Sequence, residues 1–434
     1  MRAQLVRIAT VAIAGLALSA CQDDGRSLLA PEPNKAYVVW NPSPQPKIVL
    51  PNPDDFVEIA AGDYHTCARK YNGNVYCWGA DSLDLSLVVF RPTLAVTFPA
   101  KQVVTGASHS CALRDSDGAV YCWGKDFRGQ LGTYAGHFPA WSSGWVTTPT
   151  NESQPASFIT LGAGGNSTCG LTATSLYCWG VMGSIMGDSA FGGIPGVNAP
   201  NKIANWNGSG PSLALGATQA CIRLTSTNGV YCWGRNDKGQ AGVDPTQAMY
   251  YWNTQQLVFA QNTGWQSGAL RISAHGDFTC ADKITGNVEC FGDNSSGQLG
   301  LANTLSFDFS PHSIGMGQPL QGVSAGVQHA CALDPSGNAY CWGDNHSGQL
   351  GAGDPYAPNS TVPLSSIKPL QVAFKYTAPV TFRAIAAGKY HTCAIGKDNH
   401  IYCWGQRDWG QIGVGPYVTP NSQSSWPSMA LDPQ

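Results

Sequence analysis

Short apolar runs, each closed by glycine, recur along almost the whole chain. One copy reads Val103-Val104, then His109 to Leu113, then Val120 to Trp123, with Gly106, Gly118 and Gly124 between and after them. Runs this short, bounded by Gly, Asn and Asp, predict β-strands, because an amphipathic helix would carry its apolar period through ~10 residues or more. Asp117-Gly118 lies between the second and third runs and signals a hairpin, since glycine takes positive φ without steric cost. A fourth, variable run completes the unit, as in Pro92 to Val96 or Pro363 to Ile367. Proline-led runs also stand near both ends, at Pro46 to Leu50 and Pro427 to Leu431, so a terminus is expected to supply the missing strand of the closing unit.

The N-terminus breaks this pattern. Arg2 and Arg7 precede an apolar run from Ile8 to Leu18 that is too short to span a ~30 Å hydrocarbon core as a helix. It ends in Leu18-Ser19-Ala20-Cys21, which resembles a bacterial lipobox. Residues 1–20 therefore read as a lipoprotein signal peptide, with Cys21 as the mature N-terminus and the site of lipid attachment; an ordinary signal peptide with a chance cysteine is the rival reading. Residues 21–55 read as a proline-rich tether, with Ala36 to Trp40 and Lys47 to Leu50 as possible strands within it. This places the protein in the cell envelope, lipid-anchored and facing the periplasm or the exterior.

Cysteine spacing exposes the repeat. With Cys21 set aside, fourteen cysteines fall into seven pairs: Cys67/Cys77, Cys111/Cys122, Cys169/Cys178, Cys221/Cys232, Cys280/Cys290, Cys331/Cys341 and Cys393/Cys403. Folding the hairpin about Ser116-Asp117 sets Cys111 opposite Cys122. Opposed residues of an antiparallel pair have Cα atoms ~4.5–5.5 Å apart, within disulfide reach. Each pair is expected to bridge its own hairpin, in the oxidising compartment that a secretory signal implies. Separations of 9 and 11 suit two-residue loops, and 10 requires an odd loop or a bulge. Free buried thiols and zinc are the rivals, but zinc sites bring ligands in Cys-x₂₋₄-Cys clusters, which do not occur here.

The text around the cysteines repeats as well. Tyr-Cys-Trp-Gly occurs at Tyr76 to Gly79, Tyr121 to Gly124, Tyr177 to Gly180, Tyr231 to Gly234, Tyr340 to Gly343 and Tyr402 to Gly405, and unit five has Glu289-Cys290-Phe291-Gly292. Gly-x-x-His-x-Cys precedes it in four units, and Gly-Gln-Leu-Gly or a variant follows it in five. The pattern resembles the regulator of chromosome condensation repeat, in its bacterial secreted and lipoprotein branch, from Phe56 to about Gly413. The resemblance implies an all-β, seven-bladed β-propeller of four-stranded blades over residues 56–434, with the tryptophan of each Trp-Gly in the core between blades. A period of about 54 residues agrees with it. Ser167, Gln219 and Phe278 depart from the motif histidine, and units one and three lack a clean Gly-Gln-Leu-Gly.

Charge and candidate chemistry narrow the function. Charged residues make up 12% of the chain, and 24 basic face 27 acidic residues, which gives no electrostatic footprint for nucleic acid. The motif histidines His65, His109, His329 and His391 recur at one motif position and read as structural residues that the ring holds apart, and Asp-Asn pairs such as Asp344-Asn345 as turn residues, with calcium binding as their other reading. No catalytic or phosphate-binding motif occurs, and no cofactor is expected. The connections between units are long and aromatic. Trp141, Trp145, Tyr251, Trp252 and Trp265 are the candidate partner-binding residues, because Tyr and Trp give rigid amphipathic contact area; covering the blade edges is their other reading. The expectation is a monomeric, membrane-anchored, noncatalytic scaffold presenting variable loops to a protein or glycan. A secreted enzyme is the alternative, and a cluster of Asp, Glu or His in the propeller channel would favour it. Guanine nucleotide exchange, the activity of the family's nuclear founder, is the third.

Overall fold

Each apolar run becomes a strand, and four consecutive strands make a sheet. The computed structural model describes residues 52–433 apart from 81–87, 97, 127, 133–141, 148–156, 182–196, 206–211, 224–228, 247–249, 252–259, 262–267, 315, 376–377 and 416–422; for 37–39, 47–49, 142–147, 197–199, 250–251, 260–261 and 423 it describes the backbone alone. Blade one runs from Phe56–Ala61 to Val89–Val96, blade two from Ala100–Thr105 to Ser142–Thr147 and blade three from Thr160–Gly164 to Val197–Asn205. Blade four begins at Ser212–Leu215. Its outer edge is split into Tyr250–Tyr251 and Ala260–Gln261, which both pair with Val230–Arg235. Blades five, six and seven begin at Ala269–Ala274, Gln321–Ala325 and Phe382–Ala387 and end at Phe307–Ser313, Ser365–Gln371 and Gln423–Met429. All pairings are antiparallel. The first strands of successive blades lie against one another right round to blade one and so line the centre of a seven-bladed propeller.

The C-terminal run near Pro427 supplies the fourth strand of blade seven. Its N-terminal counterpart does not join a blade, because Lys47–Val49 pairs with Tyr37–Val39 in a separate two-stranded sheet. Ring closure is therefore made without strand exchange, by side chains, packing and a backbone bond from the Gly415 N–H to the Phe90 carbonyl between blades seven and one.

All seven cysteine pairs are bridged within their own hairpins. Cys67 is joined to Cys77, Cys111 to Cys122, Cys169 to Cys178 and Cys221 to Cys232. Cys280 is joined to Cys290, Cys331 to Cys341 and Cys393 to Cys403. Each pair stands in direct register on the second and third strands of its blade. The Cα atoms are 4.0–4.1 Å apart, closer than the expected spacing, because all seven are the narrow, non-hydrogen-bonded kind of cross-strand pair.

The hairpin loops differ in part from expectation. A separation of 9 leaves the two-residue loop Ala173-Thr174 beyond the Thr172–Ser175 pair. A separation of 10 leaves three residues, Tyr71 to Gly73, with Gly73 at φ +89°. In blade two, however, a separation of 11 gives a four-residue loop, Asp115 to Gly118, rather than two. Pairing stops at Arg114 and Ala119, Asp117 accepts hydrogen bonds from Arg114 and the Ala119 N–H, and these fix the wider turn.

The core lies between blades. Cys111, Cys122 and Leu131 of blade two pack with Leu161, Tyr177 and Trp179 of blade three, and the same arrangement recurs around the ring. Trp78, Trp179, Trp233, Trp342 and Trp404 are fully buried there. Each contributes roughly 4–6 kcal/mol of gross apolar transfer free energy. The glycine after each tryptophan is required by the backbone. Gly79 sits at φ +99°, and a Cβ there would lie 2.4 Å from the Tyr64 carbonyl oxygen.

Candidate functional site

Most of the motif's polar residues are committed to the joints between blades. The two faces of the second strand explain how. His and Cys of one blade face the next blade, and the hydroxyl residue between them faces the previous one. His65 Nε2 meets Ser110 Oγ at 2.9 Å, His109 meets Thr168 at 2.8 Å, His329 meets Thr392 at 2.9 Å, and His391 of blade seven meets Thr66 of blade one at 2.8 Å. In three of these joints the threonine hydroxyl donates onward to a glutamine carbonyl of the histidine's own blade: Thr66 to Gln411, Thr168 to Gln130 and Thr392 to Gln349. The hydroxyl oxygen must then accept from the histidine, which sets the proton on Nε2. Burial pushes His109 down to about 3 and His329 to about 4, and holds His391 well below its ordinary value, so these rings are neutral at pH 7. Trp78, Trp342 and Trp404 donate their indole N–H to Gln411, Gln298 and Gln349 of the preceding blade. The Trp78 bond crosses the ring closure in the same form as the others.

A second set of residues is not used by the joints. All of it but Trp409, which follows the third strand of blade seven, sits where the first strand turns into the second, at one mouth of the central channel. Backbone bonds such as Asp63 N–H to the Ala107 carbonyl and Val327 N–H to the Gly388 carbonyl run from blade to blade here. His275 Nε2 of blade five lies 3.1 Å from Asp63 Oδ1 of blade one. These blades are not neighbours, so the pair spans the mouth. Asp63 Oδ2 lies 3.9 Å from Lys389 Nζ of blade seven, which donates to Tyr64 Oη at 3.3 Å and sits 5.3 and 5.1 Å from the ring centroids of Tyr64 and Tyr390. Trp409 meets Tyr64 edge to face at 5.7 Å. Acid, imidazole, ammonium and three partly exposed aromatic rings form one connected cluster.

The packing explains why blade five can hold a histidine here. His275 occupies the first position of the Gly-x-x-His motif, which is glycine in the other six blades. A Cβ at Gly62 would lie 2.3 Å from His65 Cε1, and at Gly106 2.2 Å from His109 Cε1. Blade five has Phe278 in place of the motif histidine, and Phe278 packs into the joint with Leu299 and Trp342. The imidazole that would exclude a side chain is gone.

Comparison with known proteins agrees with this geometry. The pattern of the Regulator of chromosome condensation (RCC1) repeat matches residues 56–83, 100–130, 212–240 and 321–349, and a second pattern of the same description matches 336–395. The chain carries RCC1 repeats. The human probable E3 ubiquitin-protein ligase HERC6 is 29% identical over 189 residues, 43% of this chain and 17% of that protein. Mouse protein RCC2 is 30% identical over 219 residues, 46% of this chain and 41% of its own. The chain thus spans less than half the length of either relative. Among solved structures, Prp20p from Saccharomyces cerevisiae superposes with a TM-score of 0.67 at 20% identity, over 83% of this chain and 86% of that one, a likeness of fold.

Within the RCC1 propeller the sequence-predicted sites fare unevenly. The fourteen paired cysteines are structural cross-links. Cys111, Cys122, Cys169, Cys178, Cys221, Cys232, Cys280, Cys290, Cys331, Cys341, Cys393 and Cys403 are wholly buried in the joints, as is Cys67, while Cys77 is half-buried beside Ala112 and Trp123. None offers a thiol to a partner or a metal, because each sulfur is spent in its bridge. Cys21, Trp141, Trp252 and Trp265 lie outside the described residues. Trp145 and Tyr251 fall in outer strands of blades two and four, where the backbone alone is described. Among the described residues, no group of three or more His, Cys, Asp or Glu gathers as a metal site would need. Sequence reasoning missed the mouth cluster. The signal was available in the aligned repeats: His275 in a glycine position, and Trp409 where the matching residue is Arg128, Lys238, Ser296 or Ser347.

Proposed function

We propose that this protein is a noncatalytic binding scaffold, held at a membrane through a lipid on Cys21, that takes its partner on loop-bearing surfaces of the propeller. The observation that carries this reading is the mouth cluster of Asp63, Tyr64, His275, Lys389, Tyr390 and Trp409. Apart from His275, its members occupy loop positions whose residue type varies from blade to blade, and binding residues concentrate on loops carried by a rigid frame. Aromatic rings braced by a lysine offer contact area at low entropic cost. The aromatic connections around Trp141, Trp145, Tyr251, Trp252 and Trp265 form the second part of the proposed surface. A protein partner accords with the yeast relative, whose structure is described together with binding to Gsp1p and histones.

The test is crosslinking on intact cells, with the captured molecule identified and its affinity measured against Trp409→Ala, Tyr390→Ala and Trp252→Ala. A true anchor costs ≥ ~2 kcal/mol, about thirtyfold in affinity. Normal binding by all three folded variants would remove this surface from consideration. Cys21→Ser is expected to release the protein from membranes with loss of the lipid mass.

One observation favours the enzyme reading. Asp63 orients His275 across the channel mouth, the arrangement of a general base with its positioning carboxylate. An activity at this site would fall by orders of magnitude in His275→Ala with unchanged melting. Guanine nucleotide exchange rests on the family resemblance alone.

A further inference from the structure

We propose that the seam between blades seven and one, at the channel mouth, is a saccharide-binding site in which a sugar ring lies against Trp409 and Tyr390. This inference rests on the scaffold reading above and names its ligand class. The repeat supplies the first argument. Where blades one and seven carry Tyr64 and Tyr390 immediately before the motif histidine, the others carry Ser108, Asn166, Thr218, Asp277 and Gln328. Trp409 likewise replaces the polar residues found before Gly-Gln in other blades. The fold asks for no aromatic ring at these positions, yet all three aromatic departures meet at one seam, with Tyr64 6.4 Å from Tyr390 and 5.7 Å from Trp409.

Hydrogen-bonding capacity supplies the second argument. Among the described residues the Trp409 indole N–H and the Tyr390 hydroxyl have no partner, and both side chains are partly exposed. Lys389 braces both tyrosine rings while keeping N–H groups to donate, and the Asp63 carboxylate beside it accepts. A site that pairs partly exposed aromatic rings with open donors and a carboxylate suits a ligand with an apolar C–H face edged by hydroxyls. A pyranose has that form. Its C–H face excludes water from the rings, and its hydroxyls satisfy the donors and the acid. A purely apolar ligand would leave these polar groups dry and unpaired, which burial makes unfavourable.

The experiment is calorimetric titration of the full chain with a defined panel of soluble β-glucan, chitin, mannan and galactan oligosaccharides. At least one is expected to bind. Trp409→Ala and Tyr390→Ala should each weaken it at least ~10-fold with the melting temperature unchanged, and Trp409→Phe should retain part of the affinity because a ring face remains. The proposal falls if no panel member binds, or if binding survives in both alanine variants. Failure here combined with a crosslinked protein partner that Trp409→Ala releases would refute the sugar and leave the scaffold reading standing.

Discussion

The joint between blades six and seven and the joint between blades five and six occupy the same place in the repeat, but different chemistry fills them. In the first, His329 reaches Thr392, which donates to Gln349. In the second, Phe278 stands in the histidine position and the facing residue is Ala330, packed with it in an apolar cluster. The exchange is paired across the ring. Every motif histidine faces a Thr or Ser in the next blade, and Ser167 and Phe278, which are not histidines, face Ala220 and Ala330. Gln219 solves the problem a third way, donating to the carbonyls of Gly276 and Phe278. A buried imidazole is found only with its acceptor; the joints led by Ser167 and Phe278 drop both partners, while the joint led by Gln219 keeps Thr279 opposite it. Two of the three departures from the motif are therefore matched replacements.

The largest expected effect is on the apolar joint. Phe278→Ala should cost about 3–5 kcal/mol, read from the denaturation midpoint, because the cavity opens against Trp342. Phe278→His should fold well only with Ala330→Thr and His275→Gly together, since a Cβ at the glycine position crowds the imidazole in the blades that carry one. Equal stability of the single and triple variants would break the pairing argument.

Acid should separate the two kinds of joint. His109, His329 and His391 are neutral in the folded state and take up protons near pH 6.5 once unfolded. Their contribution is complete above about pH 6.5 and is lost as pH falls towards about 4 for His329 and about 3 for His109. His329 alone then withdraws about 3 kcal/mol. Hydrogen-exchange protection at pH 5 relative to pH 7 should fall first in blades six, seven, one, two and three, and later in blades four and five. A uniform fall would overturn this assignment.

Smaller effects sharpen the comparison. Thr392→Val strips a buried histidine of its acceptor and should cost about 1–3 kcal/mol, whereas Thr279→Val, whose hydroxyl lies 3.6 Å from Cys221 Sγ, should cost under about 1 kcal/mol. Trp78→Phe and Trp404→Phe each remove one indole bond to a glutamine carbonyl, for about 1 kcal/mol beyond the lost ring area. Equal losses would show that the closing joint is held like any other. A much larger loss at Trp78 would single it out.

What the residues disclosed on their own was local. Strand positions, blade number and disulfide partners follow from spacings of about ten residues, where side chains alternate faces and a glycine turn sets the register. Cys178 answers Cys169 and Cys341 answers Cys331 for that reason, each a few residues beyond its own turn. Even so, the blade-two loop differs by two residues, because Arg114 and the Asp117 carboxylate shape a wider turn than spacing implies. The paired joints lay hidden in the residue after each histidine, whose meaning appears only once it is known which face of a strand meets which blade.

The mouth cluster required the closed ring. Asp63 and His275 stand 212 residues apart, and Tyr64 and Lys389 stand 325 apart. No period in the sequence links such positions. The sequence by itself determined the blades, because each hairpin satisfies its own backbone and places its own cysteines face to face. Only the tertiary structure decided which blades face one another across the channel and what gathers at the seam of the last and first. Those contacts exist because seven equal wedges must close on themselves, and closure brings the two ends of the chain's repeat array together.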